Sequence, residues 1–324
     1  MYELNFDIKI AGQQNESMEQ ILVNYFKRLG IAAQKVKNYY IVSESVVREL
    51  LDFAQDFMAI DELYFRHQQA EWRPLKEVTT ILEAQWIDDI IRRKAVVCYS
   101  QPIIDEHEEI FGYEVLARFP NEDGTLKFPN EVFVAARQRG RLYALDRLCR
   151  MKAVEYSTQL KKKTFINFIP TSIYSPEFCL RSTMQLAKKT GVDFQQFVFE
   201  VVETDKVEDI NHLKKILRYY NEKGFQYALD DVGEGHSTLE VLAELKPHYM
   251  KLDMKYSQDV SIDEMKQKMA LNFLRKAQEV GAIPLAEGIE NRRDFIWLQQ
   301  QGYKLFQGYF FGKPATTPQQ SIVI

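Results

Sequence analysis

The residues best suited to do chemistry recur in one setting: each ends or interrupts a short apolar run, and helix-length stretches separate the runs. Asn167, Glu200, Asp230 with Asp231, Lys251, Glu287 and Gln307 stand this way. Glu114 sits in a further strand-like run, Phe111 to Phe119. Buried apolar strands that alternate with amphipathic helices imply βα units and a largely parallel sheet, whose carboxyl ends form an active-site rim. Carboxylates gathered there with an amide and a lysine predict a site for hard divalent cations.

The local spacings sharpen that expectation. A period of two puts Glu114, Leu116 and Arg118 on one strand face, where a carboxylate and a guanidinium could hold a metal ion and a phosphate beside it. The alternative for that pair is a plain salt bridge. Asp230 and Asp231 are neighbours, so a regular strand would turn them to opposite faces. Placed just past a strand end, before Gly233 and Gly235, both could face one site and serve two cations about 3.5 to 4 Å apart. An Asp-Asp helix cap is the other reading. Glu200 with Glu203, and Glu287 with Glu290, are Glu-x-x-Glu pairs in which the first can face the site while the second braces a loop. Lys251 lies inside a barrel-type strand, where an ammonium is costly unless carboxylates or a bound anion pair with it.

The elements that must position these residues follow from the rest of the chain. Its 324 residues suffice for one βα barrel of about 250 residues plus a small module. With 42 basic and 46 acidic residues the net charge is −4, which predicts no general affinity for nucleic acid or an anionic membrane. Apolar runs of about 18 residues are lacking and the amino terminus has no basic flank, so the expectation is a cytoplasmic protein without signal peptide or membrane span. Cys98, Cys149 and Cys179 read as buried reduced thiols, and the histidines show no metal-ligand spacing.

Residues 1–80 carry none of the strand-end acids and read as a small α/β module, either regulatory or interacting or a structural cap on the barrel, ahead of the domain over 84–324. Strands are expected over 4–10 and 38–42, one helix from Ser17 to Gly30 and another after Ser43. The polar stretch from Phe65 to Pro74 is the expected boundary, and a helix from Leu82 to Arg93 leads into the barrel. Val96 to Ser100 and Gly112 to Leu116 are close enough in sequence to form an antiparallel pair.

Glu114-Val115-Leu116 with Arg118, Asn167, Glu200 to Glu203, Asp230 to Gly235, Lys251 to Asp253, Glu287 to Glu290 and Gln307 to Gly312 together resemble the EAL family of cyclic di-GMP phosphodiesterases, from about residue 84 to 315. The resemblance implies a modified (β/α)8 TIM-type barrel with one antiparallel strand, hydrolysis of cyclic di-GMP to pGpG by two Mg²⁺ or Mn²⁺ ions, and a homodimer. It implies that Glu114, Asn167, Glu200 and Asp230 hold the first metal, and that Asp230 and Asp231, with Glu287 nearby, hold the second. Gln307 would orient solvent, Lys251 would position or activate the attacking water, and Arg118, with Leu116 beside it, would bind substrate. Glu203 would anchor the loop of residues 231–237, with Gly233 and Gly235, at the dimer interface. The family's other known mode is a non-catalytic receptor for the same nucleotide. Departures from the family's usual residues fall at Phe168, Val232 and Glu234.

Overall fold

A computed structural model describes residues 3–28, 30, 33–67, 70–173, 175–201, 210–232 and 239–322, with the side chain of Asp231 also left out. The chain forms two compact units, Met1–Arg92 with Val134–Arg141, and Arg93–Phe133 with Leu142–Ile324.

The first unit is a five-stranded antiparallel sheet with helices. In chain order it comprises β1 (Asn5–Ile10), α1 (Gln13–Arg28), β2 (Gln34–Val36), β3 (Tyr39–Ser43), α2 (Glu44–Phe57), β4 (Leu63–Arg66) and β5 (Arg73–Pro74), followed by α3 (Val78–Glu83) and α4 (Trp86–Arg93). The sheet order is β2-β3-β1-β4-β5. Alternation along β1 buries Phe6 and Ile8 in one core with Val47, Leu50 and Leu22. Three expectations change here. The stretch from Phe65 to Pro74 contributes strands β4 and β5, which are paired with each other, and β4 also pairs with β1. Helix α1 begins at Gln13, because Asn15 clamps its first turn: its amide donates to the carbonyls of Ala11 (2.8 Å) and Ala59 (3.2 Å) and accepts from the Ala59 N–H (2.8 Å). The helix expected from Leu82 to Arg93 is two, parted at Ala84 and Gln85. Arg139, returned to this unit by the later segment, is fully buried and donates to Glu44 (2.7 Å) and Asp88 (2.8 Å).

The second unit is a closed barrel. Strands β6 (Val97–Asp105), β7 (Ile110–Pro120), β9 (Lys163–Phe168), β10 (Phe197–Val201), β11 (Gln226–Val232), β12 (Tyr249–Leu252), β13 (Ile283–Ala286) and β14 (Leu305–Gln307) follow one another round it, and β6 pairs with both β14 and β7 to close the ring. The two-residue β8 (Leu126–Lys127) extends β7 outside the ring. Helices α5 (Pro129–Gln138), α6 (Leu142–Ser157), α7 (Pro176–Thr190), α8 (Ile210–Glu222), α9 (Leu239–Leu245), α10 (Met254–Ser257), α11 (Glu264–Val280) and α12 (Arg292–Gln301) occupy the connections. Seven strands run parallel to one another, and β6 alone runs against both of its neighbours, β7 and β14. That reversal replaces the first βα unit by a hairpin, whose turn is tied by Asp105 accepting from the N–H of His107 (2.9 Å) and Glu109 (3.0 Å). The expected antiparallel pair is therefore β6 with β7. Among the described residues no helix is long and apolar enough to cross a membrane.

Candidate active site

Side chains fill the barrel in layers. The lower layer is apolar: Ile103, Phe165, Val198, Ala228, Tyr249, Leu285 and Leu305 form one interior cluster. Strand β7 contributes Gly112 at this level, where a Cβ would come within 2.6 Å of the Lys163 carbonyl oxygen. Because the strand period is two, the residue two steps further towards the rim faces the interior again. On the parallel strands those residues are Glu114, Asn167, Glu200, Asp230, Lys251, Glu287 and Gln307, and on the reversed β6 the count runs backwards to Gln101. An unbroken ring of polar side chains thus sits one step above an apolar floor, and the sequence expectation had seven of its eight members.

The ring is held by its own hydrogen bonds and ion pairs. Asn167 donates to Glu114 Oε1 at 2.8 Å, and Gln307 donates to Glu114 Oε2 at 2.6 Å. Gln307 also donates to Gln101 at 3.2 Å, and Gln101 donates to the Gly312 carbonyl at 3.1 Å. Lys251, 1% exposed, puts its ammonium 2.6 Å from Glu200 and 2.9 Å from Asp230, and also pairs with Glu287. Burial works against its charge, yet the carboxylates of Asp230, Glu200, Glu287 and Glu114 outweigh it and hold the lysine pKa well above its ordinary value. Lys251 is therefore charged, and acts as a donor. Glu200 and Glu287 are pushed well above the usual carboxylate range, first by burial and then by their acidic neighbours, with Lys251 pulling the other way. Glu200, Asp230 and Glu287, three of the carboxylates expected to hold metal, are thus already close to a cation.

These residues fit hard divalent ions. Glu200 Oε2 and Gln307 Oε1 are buried without a hydrogen-bond partner, an arrangement that is costly for oxygen acceptors unless a cation or solvent meets them. The donors are carboxylates and carboxamides, the set that Mg²⁺ and Mn²⁺ prefer. Among the described residues no three acidic, histidine or cysteine side chains stand open to a metal, since the Lys251 ammonium takes the point on which Glu200, Asp230 and Glu287 converge.

The surroundings explain how the ring is positioned. Past Asn167, the Ile169 N–H donates to Asp146 at 3.1 Å, and Asp146 is paired with the buried Arg150 at 2.7 Å, so α6 secures the chain leaving β9. Phe168, a departure from the family's usual residues, turns away from the ring into the layer between barrel and helices, against Phe199 and Tyr220. Val232 is buried in that same layer. Past Glu287, the Ser257 hydroxyl donates to the Glu287 carbonyl, and Gln258 donates to Glu290 at 3.2 Å. Leu116 and Arg118 continue the Glu114 face towards the strand end, opposite Tyr99 and Val97 of β6. Glu114 and Arg118 are about 13 Å apart along extended chain, and the Arg118 guanidinium lies 5.6 Å over the Tyr99 ring. Asp230 and Asp231 lie within β11 rather than past its end, and pairing with β12 slips between Leu229 and Val232. The Asp231 side chain, Glu203, Gly233, Glu234 and Gly235 lie outside the described residues.

Comparison with known proteins agrees with this geometry. A standalone EAL protein of Vibrio cholerae O395, solved in a c-di-GMP bound form, is 35% identical, with a TM-score of 0.62 over 70% of this chain and 93% of that one. The probable cyclic di-GMP phosphodiesterase PdeG of Escherichia coli K12 is 28% identical over 243 residues, which is 71% of this chain and 47% of that protein. Klebsiella pneumoniae BlrP1, solved as a calcium and cy-diGMP complex, shares the fold over 99% of this chain and 98% of its own at 20% identity, with a TM-score of 0.63. The chain spans about half the length, or less, of the first curated relatives it matches. The family profile of the EAL domain matches residues 84–314, and the chain belongs to the EAL family.

Proposed function

We propose that this protein hydrolyses cyclic di-GMP to linear pGpG with the help of two Mg²⁺ or Mn²⁺ ions. The observation that carries the reading is the complete polar ring, in which Glu114, Asn167, Glu200, Asp230, Lys251, Glu287 and Gln307 all face the barrel interior at one level. Its support from relatives is the Vibrio protein captured with c-di-GMP and the Escherichia coli phosphodiesterase names. Glu114, Asn167, Glu200 and Asp230 would hold one ion, and Asp230 and Asp231 with Glu287 the other. When bound, such ions neutralise the phosphodiester and acidify the water that attacks it. Lys251, charged, would donate a hydrogen bond that positions this water. Gln307 would orient solvent through its free Oε1, and Arg118 would hold a phosphate at the mouth of the barrel, with Leu116 beside it.

Chromatography of cyclic di-GMP incubated with the protein and Mg²⁺ or Mn²⁺ tests the reading, with pGpG as the expected product and loss of turnover in EDTA. Glu114→Ala should lower turnover by about 10³-fold or more by removing both a metal ligand and the partner of Asn167 and Gln307. Full activity in excess EDTA would count against metal catalysis. Retained nucleotide binding without turnover in the unaltered protein would favour the receptor mode instead. A homodimer whose interface loop is anchored by Glu203 belongs to the same proposal. Glu203→Ala should lower activity without touching a metal, and unchanged rate and sedimentation in that variant would oppose it.

A further inference from the structure

Gln101 is the one ring member with no part in that scheme. Its Nε2 donates to the Gly312 carbonyl at 3.1 Å, and its Oε1 accepts from Gln307 Nε2 at 3.2 Å. A backbone carbonyl only accepts, so Gly312 decides which way round the Gln101 carboxamide sits. With its nitrogen turned to Gly312, its oxygen is turned to Gln307, and an oxygen at that place requires the nitrogen of Gln307 opposite it. The other N–H of Gln307 goes to Glu114 at 2.6 Å. Both amide hydrogens of Gln307 are then engaged, and its Oε1, buried and without a hydrogen-bond partner, points away from these two acceptors.

We propose that Gln101 is a positioning residue, which relays the polarity of the Gly312 carbonyl to Gln307 so that Gln307 offers its oxygen to solvent or cation. Glu114 enforces the same orientation only while its Oε2 remains available to Gln307. The phosphodiesterase reading, on which this inference rests, draws on the Glu114 carboxylate for a metal, and Gln101 is then the anchor that remains. The 8% exposure of Gln101 keeps water from substituting for it.

A double-mutant cycle tests this, with Mn²⁺ affinity measured by calorimetry in the absence of nucleotide and kcat and KM measured for cyclic di-GMP. Gln101→Met keeps the length of the side chain and removes its acceptor. It should weaken Mn²⁺ binding and lower kcat by about tenfold each, with KM within about twofold, and Gln307→Met should do the same. The double variant should be no worse than Gln307→Met alone. Losses that multiply in the double variant, or Gln101→Met behaving as the unaltered protein, would overturn the inference, because a merely structural glutamine would cost the same whatever stands at 307. Should Gln101→Met not fold, Gln101→Asn, polar but too short to reach Gln307, serves in the same cycle. A wild-type protein without hydrolysis would remove the phosphodiesterase reading, while the Mn²⁺ cycle would still decide the role of Gln101.

Discussion

Lys251 is a buried cation whose partners, Glu200, Asp230 and Glu287, are the groups proposed to bind metals. In metal-free protein it is what makes their charge tolerable. Removing one side of a buried ion cluster leaves uncompensated charge and costs on the order of 3 kcal/mol. Lys251→Ala should therefore melt several degrees lower in EDTA, regain most of that loss in Mn²⁺, and still turn over poorly. A melting temperature equal to wild type in EDTA would show that the lysine does not balance the carboxylates. The same cluster sets a pH dependence. Glu200 and Glu287 titrate above the ordinary carboxylate range, so the folded chain keeps protons that the unfolded chain has released above about pH 4.3. Stability from these groups is full below that pH and is lost as pH rises through their folded-state values. Lys251, also raised, is charged in both states below about pH 10 and adds no slope in this window. The melting temperature of EDTA-treated protein should fall as pH rises above about 4.3, with a shallower slope in Glu200→Gln. A flat profile for the wild type would refute this.

The barrel strands show why most of the site, though not all, was legible. On each parallel strand the interior polar residue follows the apolar run, so reading forwards finds an apolar segment that stops in an acid, amide or lysine. Strand β6 is traversed the other way and runs on past the expected Val96–Ser100 to Asp105, which puts Gln101 in mid-strand ahead of Pro102, Ile103 and Ile104. Only the antiparallel pairing with β7 and β14, a long-range fact, reverses the reading. Strands β4 and β5 were hidden for another reason: at four and two residues they are too short to show a period in the sequence, and pairing with β1 and with each other defines them. The loops that close the ring depend on close backbone approach. At Gly308, directly after Gln307, a Cβ would stand 2.0 Å from the carbonyl oxygen and 2.3 Å from the nitrogen of Ile289, in the segment that carries Glu287. Backbone atoms cannot give by that much, so Gly308→Ala must displace either Glu287 or Gln307. We expect that variant to lose about tenfold or more in turnover together with several degrees of melting temperature. Unaltered kinetics would show that the two strand ends do not need this contact.

At the scale of the whole molecule, the chain passes between its two compact units three times, near residues 92, 133 and 141. A reading by sequence order made residues 1–80 a module set before a catalytic domain, and nothing local in 134–141 signals that this segment packs with the beginning of the chain. Its Arg139 is fully buried and held by Glu44 and Asp88, and the neighbouring Arg141 pairs with Asp88 at 3.1 Å. Deleting residues 1–80 would remove Glu44 and β1 to β5, leaving Arg139 with Asp88 as its one carboxylate beside the Ile81 carbonyl, and exposing Ile81 and Leu82, which belong to the same apolar core. We therefore expect the fragment 81–324 to be insoluble or unfolded, which makes the amino-terminal unit a structural partner of a segment inserted in the barrel sequence. Arg139→Met in the full chain separates the electrostatic part of that role from the rest. It leaves Glu44 with Arg48 and Asp88 with Arg141, and should cost on the order of 3 kcal/mol in urea unfolding while the protein still folds. If the amino-terminal unit also regulates turnover, the rate of this variant should change although Arg139 lies outside the polar ring. A soluble 81–324 fragment with wild-type turnover would sink both the structural and the regulatory reading.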